Sequence, residues 1–316
     1  MYEETAPPRR LREVARCLWR SASEGPKRIV PDGCVDLVAG DGEVFVAGPD
    51  TMAWSSAPAP ALSGVRFRPG HAAAVLGVAA DELRDRRVPL GELWGRPGEL
   101  AAERVLAGEW SLAEAVAWRL PAASSPDAAV TALIARLDAG VARVADAVAM
   151  LAGAGHGAES GRPGSGGARA AAMLAATDPE GWRIAEAGAI LPRRGPQAAA
   201  IAETAAILAR PGPQAAAVRA EDPAAPVAVS ERRLRRRFVQ AVGYGPATYL
   251  RVSRFQRAVA LAPRVSGLAA LAAATGYADQ AHLSRDCRAL TGLTPRAYFR
   301  RPSTVDVAER DRLRSA

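Results

Sequence analysis

Two short stretches carry side chains whose types and spacing suit hydrogen bonding to a nucleic acid. In residues 229–238, VSERRLRRRF, Leu234 and Phe238 stand at i and i+4 and form an apolar helical face. Arg232, Arg235 and Arg236 project roughly opposite, and Arg233 and Arg237 lie to the sides. In residues 279–290, DQAHLSRDCRAL, the inner face holds Leu283, Cys287 and Leu290. The outer face holds Ala281 and Arg285, flanked by His282, Ser284 and Arg288. A planar guanidinium matches guanine O6 and N7, and it also matches phosphate oxygens. The side positions of Arg233 and Arg237 suit phosphates. Arg285 suits guanine and Gln280 suits adenine, while Ala281 offers only an apolar contact.

The flanking residues predict how these faces are held. Leu268, Leu271 and Ala272 give one apolar helical face. Gly276 ends that helix, since glycine accepts the left-handed conformation of a sharp helix end. Asp279 is placed as N-cap of the second reading helix and Ser230 as N-cap of the first. Between the two stretches, residues 248–262 predict a long helix with Leu250, Phe255 and Val259 near one face. Such a strut fixes the separation of two reading helices and presents them to successive major grooves, about 34 Å apart.

GYADQAHLSRDCRALTGLTPRAYFR, residues 276–300, closely resembles the second helix-turn-helix of AraC-type transcription regulators. VSERRLRRRF resembles the end of the first. The resemblance places Arg232, Arg235 and Arg236 in the first unit, and Gln280, His282 and Arg285 in the second, at base-reading positions, with Ser284 nearby. A neutral, solvent-facing role is the alternative for His282. Cys287 departs from the pattern, which has a large aromatic there; looser local packing is expected. The resemblance implies double-stranded DNA as partner and no cofactor for binding. A small-molecule effector, a homodimer and contact with RNA polymerase are compatible with it.

Charge supports a polyanionic partner. The chain of 316 residues has a formal net charge of +8, and Lys27 is its only lysine. Residues 227–302 hold fourteen arginines against Glu231, Asp279 and Asp286, a local excess larger than that of the whole chain. Cys17, Cys34 and Cys287 are isolated, which fits a reducing interior and neither a disulfide frame nor a zinc site. His71, His156 and His282 are scattered. No signal peptide or membrane-long apolar run is visible, so a cytoplasmic protein without membrane association is expected.

The N-terminal part reads as a small β-rich domain with helices after it. Val14, Cys17 and Leu18 are placed on one face and Trp19 in the core. Asp41-Gly42 predicts a hairpin, because both residues tolerate positive φ. GVRFRPG predicts a strand, and residues 71–76 a helix running past Gly77 toward Asp85. Residues 99–120 read as helical, Asp127 caps a helix that Gly140 ends, and 141–151 form another. PDGCVDL, GVRFRPG and the following LG-x-x-x-x-E-L are similar to an uncharacterised N-terminal domain of some AraC-type regulators, which implies a sensor or dimerisation role. Asp32 and Asp36 either face a ligand or belong to a Pro-Asp-Gly turn and a strand's wet face. Cys34 is either a reactive thiol or a buried structural cysteine, and no adjoining cation favours the former.

The first helix-turn-helix has an unusual layout. The partner helix of VSERRLRRRF is 141–151, yet about 75 residues stand between them. That segment opens with GAGHGAESGRPGSGG, a flexible composition, and contains GPQAAA twice. Either it loops out while both ends meet, or this half is broken and only the second unit reads DNA. The expected fold is α+β. Residues 1–120 form a β-rich sensor or dimerisation domain. Residues 127–152 with 227–262 form the first helix-turn-helix and linker helix around an insertion at 153–226. Residues 263–302 form the second helix-turn-helix, and 303–316 a tail. An enzymatic N-terminal domain is the other class of reading. A metal-dependent cupin needs clustered His and carboxylate ligands and a methyl-accepting repair module needs grouped thiolates; neither occurs before residue 120. A non-specific DNA-associated protein is the third.

Overall fold

The computed structural model describes residues 2–56, 58–153 and 231–299. The insertion at 154–226, Ser230 with its expected capping role, and the tail at 303–316 lie outside the described residues.

The N-terminal part is built on strands β1 (Tyr2–Thr5), β2 (Ala15–Ser23), β3 (Arg28–Ile29), β4 (Asp36–Gly40), β5 (Glu43–Ala47), β6 (Trp54–Ser55), β7 (Ala59–Phe67) and β8 (Arg87–Pro89). Six of them form an antiparallel sheet in the order β1-β2-β7-β4-β5-β8, while β3 and β6 pair separately. The Asp41-Gly42 hairpin joins β4 to β5, with φ of 53° and 79°. Leu37, Val44, Val46, Val65 and Phe67 point to one face and are buried. Helices α1 (Ala72–Leu76), α2 (Leu90–Trp94), α3 (Arg96–Leu106) and α4 (Leu112–Arg119) contribute to that core. The other face carries a small cluster of Cys17, Trp19 and Val38. Gly64 admits it: a Cβ there would lie 2.3 Å from the Trp19 ring.

Three expectations need correction. Cys17 and Leu18 do not share a face, because residues 15–23 form a strand, whose side chains alternate. Cys17 joins the cluster with Trp19, and Leu18 packs with Val14 on the opposite core. Helix α1 stops at Gly77, whose φ of 75° turns the chain, and does not run on toward Asp85. The helical stretch 99–120 is two helices: Gly108 at φ 74° breaks it, and Ser111 and Glu114 form a capping box that starts α4.

The C-terminal part is helical: α5 (Ala128–Asp138), α6 (Val144–Gly153), α7 (Glu231–Val242), α8 (Pro246–Leu261), α9 (Leu268–Ala274), α10 (Gln280–Thr291) and α11 (Pro295–Tyr298). Asp127 caps α5 by accepting from the Ala129 and Val130 N–H groups. One core contains Leu133, Leu137 and Ala147 from before the insertion, and Leu234, Phe238, Tyr249 and Phe255 from after it. Polar ties run the same way. Arg237 pairs with Asp127, the Tyr249 hydroxyl donates to Asp138 at 3.0 Å, and Arg254 donates to the Ala142 carbonyl at 3.1 Å.

The N-terminal domain packs on this module. Helix α1 lies against α7. The Ala80 N–H donates to the Gln240 carbonyl at 2.7 Å, the Ala53 N–H to the Leu290 carbonyl at 2.7 Å, and Gln256 Nε2 to the Pro31 carbonyl at 2.6 Å.

A core made by both sides of the insertion has a direct consequence. Cutting the chain at a protease site engineered between residues 153 and 231 leaves two fragments that co-elute on size exclusion. Fragments that separate without denaturant would contradict a shared core.

Candidate nucleic-acid interface

Helix α7 buries Leu234, Phe238 and Val242. Its exposed surface is an open depression lined by Arg232, Arg233, Arg235, Arg236 and Val239. With the other side of the helix locked into a core, Arg232, Arg235 and Arg236 are exposed on its outer side. Arg237 differs from its expected place on an open flank. It sits beside Asp127, the residue that caps α5, and so ties α7 to the helix before the insertion. Asp127 was legible as a cap; its second role depends on a contact 110 positions away in sequence.

The second unit is α9 and α10. Helix α9 ends at Thr275, followed by Gly276 at φ 81°. Asp279 then accepts the His282 N–H at 2.6 Å and caps α10. Leu283, Cys287 and Leu290 are buried; Gln280, Ala281, Arg285 and Arg288 are exposed. Ser284 is half-buried and donates its hydroxyl to the Gln280 carbonyl at 2.8 Å. His282 is also half-buried, with its ring edge-on to Tyr277 at 5.0 Å between centroids and Nε2 3.8 Å from the Asp286 carboxylate. Asp286 was missed as a partner, although its i,i+4 spacing from His282 was readable. It also faces Arg251 at 3.7 Å, and burial pushes its carboxyl pKa up against the pull of His282 and Arg251.

Helix α8 connects the units. Arg254 is buried on it, donating to the Ala142 carbonyl in the first unit and lying 5.3 Å from the Tyr277 ring centroid in the second. Phe255 meets Tyr298 and Phe299 at ring-centroid distances of 5.3 and 6.0 Å.

Comparison with known families agrees with this geometry. Residues 224–301 match a helix-turn-helix domain family, and residues 3–89 match a domain family of unknown function. The C-terminal region is an AraC-type helix-turn-helix domain. No curated protein and no solved structure matches the chain. The assignment supports an AraC-type DNA-binding regulator with an uncharacterised domain in front. Within that AraC-type domain Cys287 is fully buried, its thiol 3.4 Å from the Leu293 carbonyl, so the smaller side chain is enclosed rather than exposed to water.

Asp32 and Asp36 in the N-terminal domain are engaged with Arg66. Arg66 grips both oxygens of Asp36 at 3.1 and 3.0 Å and reaches Asp32 at 3.1 Å. Asp32 also closes its turn by accepting the Cys34 N–H at 2.9 Å. Burial pushes Asp36 up to about 6; Arg66 opposes this and Asp32 adds to it. Cys34 does have cations nearby, Arg66 and Arg16, which residue order alone does not reveal. Burial dominates and holds the thiol well above its ordinary pKa, which makes it a poor nucleophile. Among the described residues no group of three or more His, Cys, Asp or Glu is arranged to hold a metal, and no helix is long and apolar enough to cross a membrane.

Two outcomes are expected. Arg66→Met strands two carboxylates and lowers unfolding stability by roughly 3 kcal/mol near pH 7.5. Asp36 has its folded pKa raised, so the folded state holds the extra proton as pH falls through 6 toward 4. Losing Arg66 raises that pKa further, and the deficit in urea unfolding therefore shrinks toward pH 5; a pH-independent deficit would refute the arrangement. Arg237→Ala lowers stability by about 1 kcal/mol, given its partial exposure. It leaves the salt dependence of DNA binding unchanged, whereas a phosphate contact would reduce the slope by about one counterion.

Proposed function

We propose that the protein is a sequence-specific DNA-binding regulator of transcription acting in the cytoplasm, with α7 and α10 entering successive major grooves of one duplex. The observation that carries this reading is the pair of helices tied to one strut, each with a buried apolar stripe and an exposed face of donors. Arg232, Arg235 and Arg236 read bases from α7, and Arg233 holds a phosphate. Gln280 and Arg285 read bases from α10, with His282 and Ser284 orienting its first turn. The first unit is complete despite the insertion, because its helices from either side share a core. The N-terminal domain carries the control, through a small molecule, a second copy of the chain or contact with polymerase.

Selection from a randomised duplex pool tests the reading. The full chain enriches a defined sequence with two half-sites about one helical turn apart. On the enriched duplex Arg285→Ala costs about 1–3 kcal/mol and relaxes preference at one base pair. An equal loss on random DNA would reassign Arg285 to a phosphate. Failure to enrich any sequence would leave a non-specific DNA-associated protein.

A further inference from the structure

We infer that the N-terminal domain is a splint that sets the separation of the two reading helices, with Arg28 and Arg84 as its positioning residues. The functional meaning of that separation rests on the proposed reading of DNA; the mechanical claim does not.

A helix ends in carbonyls that lack intrahelical partners and carry the negative end of the helix dipole. Both reading helices have these ends met by the same domain, and in the same way. At the end of α7 the Gln240 carbonyl accepts the Ala80 N–H at 2.7 Å, and the Gly243 carbonyl accepts from Arg84 Nη1 at 3.3 Å. At the end of α10 the Leu290 carbonyl accepts the Ala53 N–H at 2.7 Å, and the Thr291 carbonyl accepts from Arg28 Nη1. Each helix thus receives one main-chain donor and one guanidinium. The strut α8 is held as well, through Gln256 and the Pro31 carbonyl. None of these contacts covers the reading surface, since Arg232, Arg235, Arg236, Gln280 and Arg285 are all exposed.

The two capping platforms are cross-linked inside the N-terminal domain. The Asp85 carboxylate accepts the Thr51 N–H at 2.7 Å and the Thr51 hydroxyl at 2.9 Å. Arg87 pairs with Asp50 at 2.9 Å and stacks over Trp54. Strand β6 then pairs with β3, which bears Arg28. Asp85 holds a left-handed φ of 57°, uncommon for a residue other than glycine, at the centre of this link. A continuous chain of bonds therefore runs from the end of α7, through residues 80–87, 50–54 and 28–29, to the end of α10.

A distance measurement between paired spin labels tests this without DNA. Glu231→Cys and Ala289→Cys place labels on exposed sites of α7 and α10, and the native cysteines 17, 34 and 287 are buried. The parent protein gives one narrow distance distribution. Arg28→Ala with Arg84→Ala broadens it, and so does Asp85→Gly combined with Arg87→Ala, which removes both ties of the cross-link without touching the C-terminal helices. Should the Arg28→Ala, Arg84→Ala variant unfold, the Asp85→Gly, Arg87→Ala variant carries the test. A distribution as narrow as the parent's in a folded variant would overturn the splint. On the duplex enriched by selection, the parent loses about tenfold or more when two base pairs are inserted between half-sites, since each pair rotates the groove by roughly 34°. The variants bind the native spacing about tenfold more weakly, the equivalent of one positioning hydrogen bond, with a flatter spacing profile and unchanged half-site affinity. Tighter binding by the variants would make the domain a mask and also overturn the inference. Absence of any enriched sequence would defeat the DNA reading while the label distances still decide the splint.

Discussion

Phe238 lies fully buried with its ring edge-on to Tyr249 at 5.8 Å, inside a core that also takes Leu133 and Leu137 from the far side of the insertion. The first reading unit depends on that meeting. Helix α7 is twelve residues long and holds five arginines, a length and charge at which an isolated helix is marginal in water. Its stability has to come from tertiary burial of Leu234, Phe238 and Val242. If residues 128–153 did not close over them, the arginines would hang from an unstable segment. The chain brings together two stretches far apart in sequence, and loop-closure entropy grows only slowly with length, so a long insertion is compatible with this core.

Arginine has two distinct uses here. Arg232, Arg235, Arg236 and Arg285 are exposed on helix faces. Arg66, Arg237 and Arg254 hold the fold: one neutralises paired carboxylates, one bridges the insertion, one joins both helix-turn-helix units through a carbonyl and an aromatic face. A buried guanidinium loses hydration, and only well-placed acceptors offset that. Local charge excess in the sequence therefore overstates the number of groups available to a polyanion.

What was legible in the residues was mostly local. Asp127 and Asp279 cap helices, Gly276 ends one, and Asp41-Gly42 turns a hairpin, because each depends on backbone geometry within four residues. The stripes on α7 and α10 were legible for the same reason. Strands β1 and β8 were not, since they exist by pairing with β2 and β5, and β1 is exposed along its length. Cys17 and Leu18 were misplaced because a short apolar run fits more than one period. The role of Arg66 rests on three strands meeting, as Asp36 of β4 and Cys17 of β2 both sit opposite it. Ser111-x-x-Glu114 is a signal of the same local kind, a capping box within four residues.

The placement of α10 shows why apolar packing alone is a weak rule for a reading helix. The joint between α8 and α9 includes Gly267 at φ 86°, between Val265 and Leu268, which pack partly against the helical core. Phe255, Tyr298 and Phe299 hold the second unit to α8 through apolar burial, a driving force without direction of its own. Hydrogen bonds weaken steeply when bent. The bonds that Leu290 and Thr291 accept from Ala53 and Arg28 add a directional tie at the end of α10, whose buried stripe of Leu283, Cys287 and Leu290 turns Gln280 and Arg285 outward. Aromatic contacts hold the helix near α8, its buried stripe sets which face is outward, and directional bonds from the N-terminal domain pin its last turn.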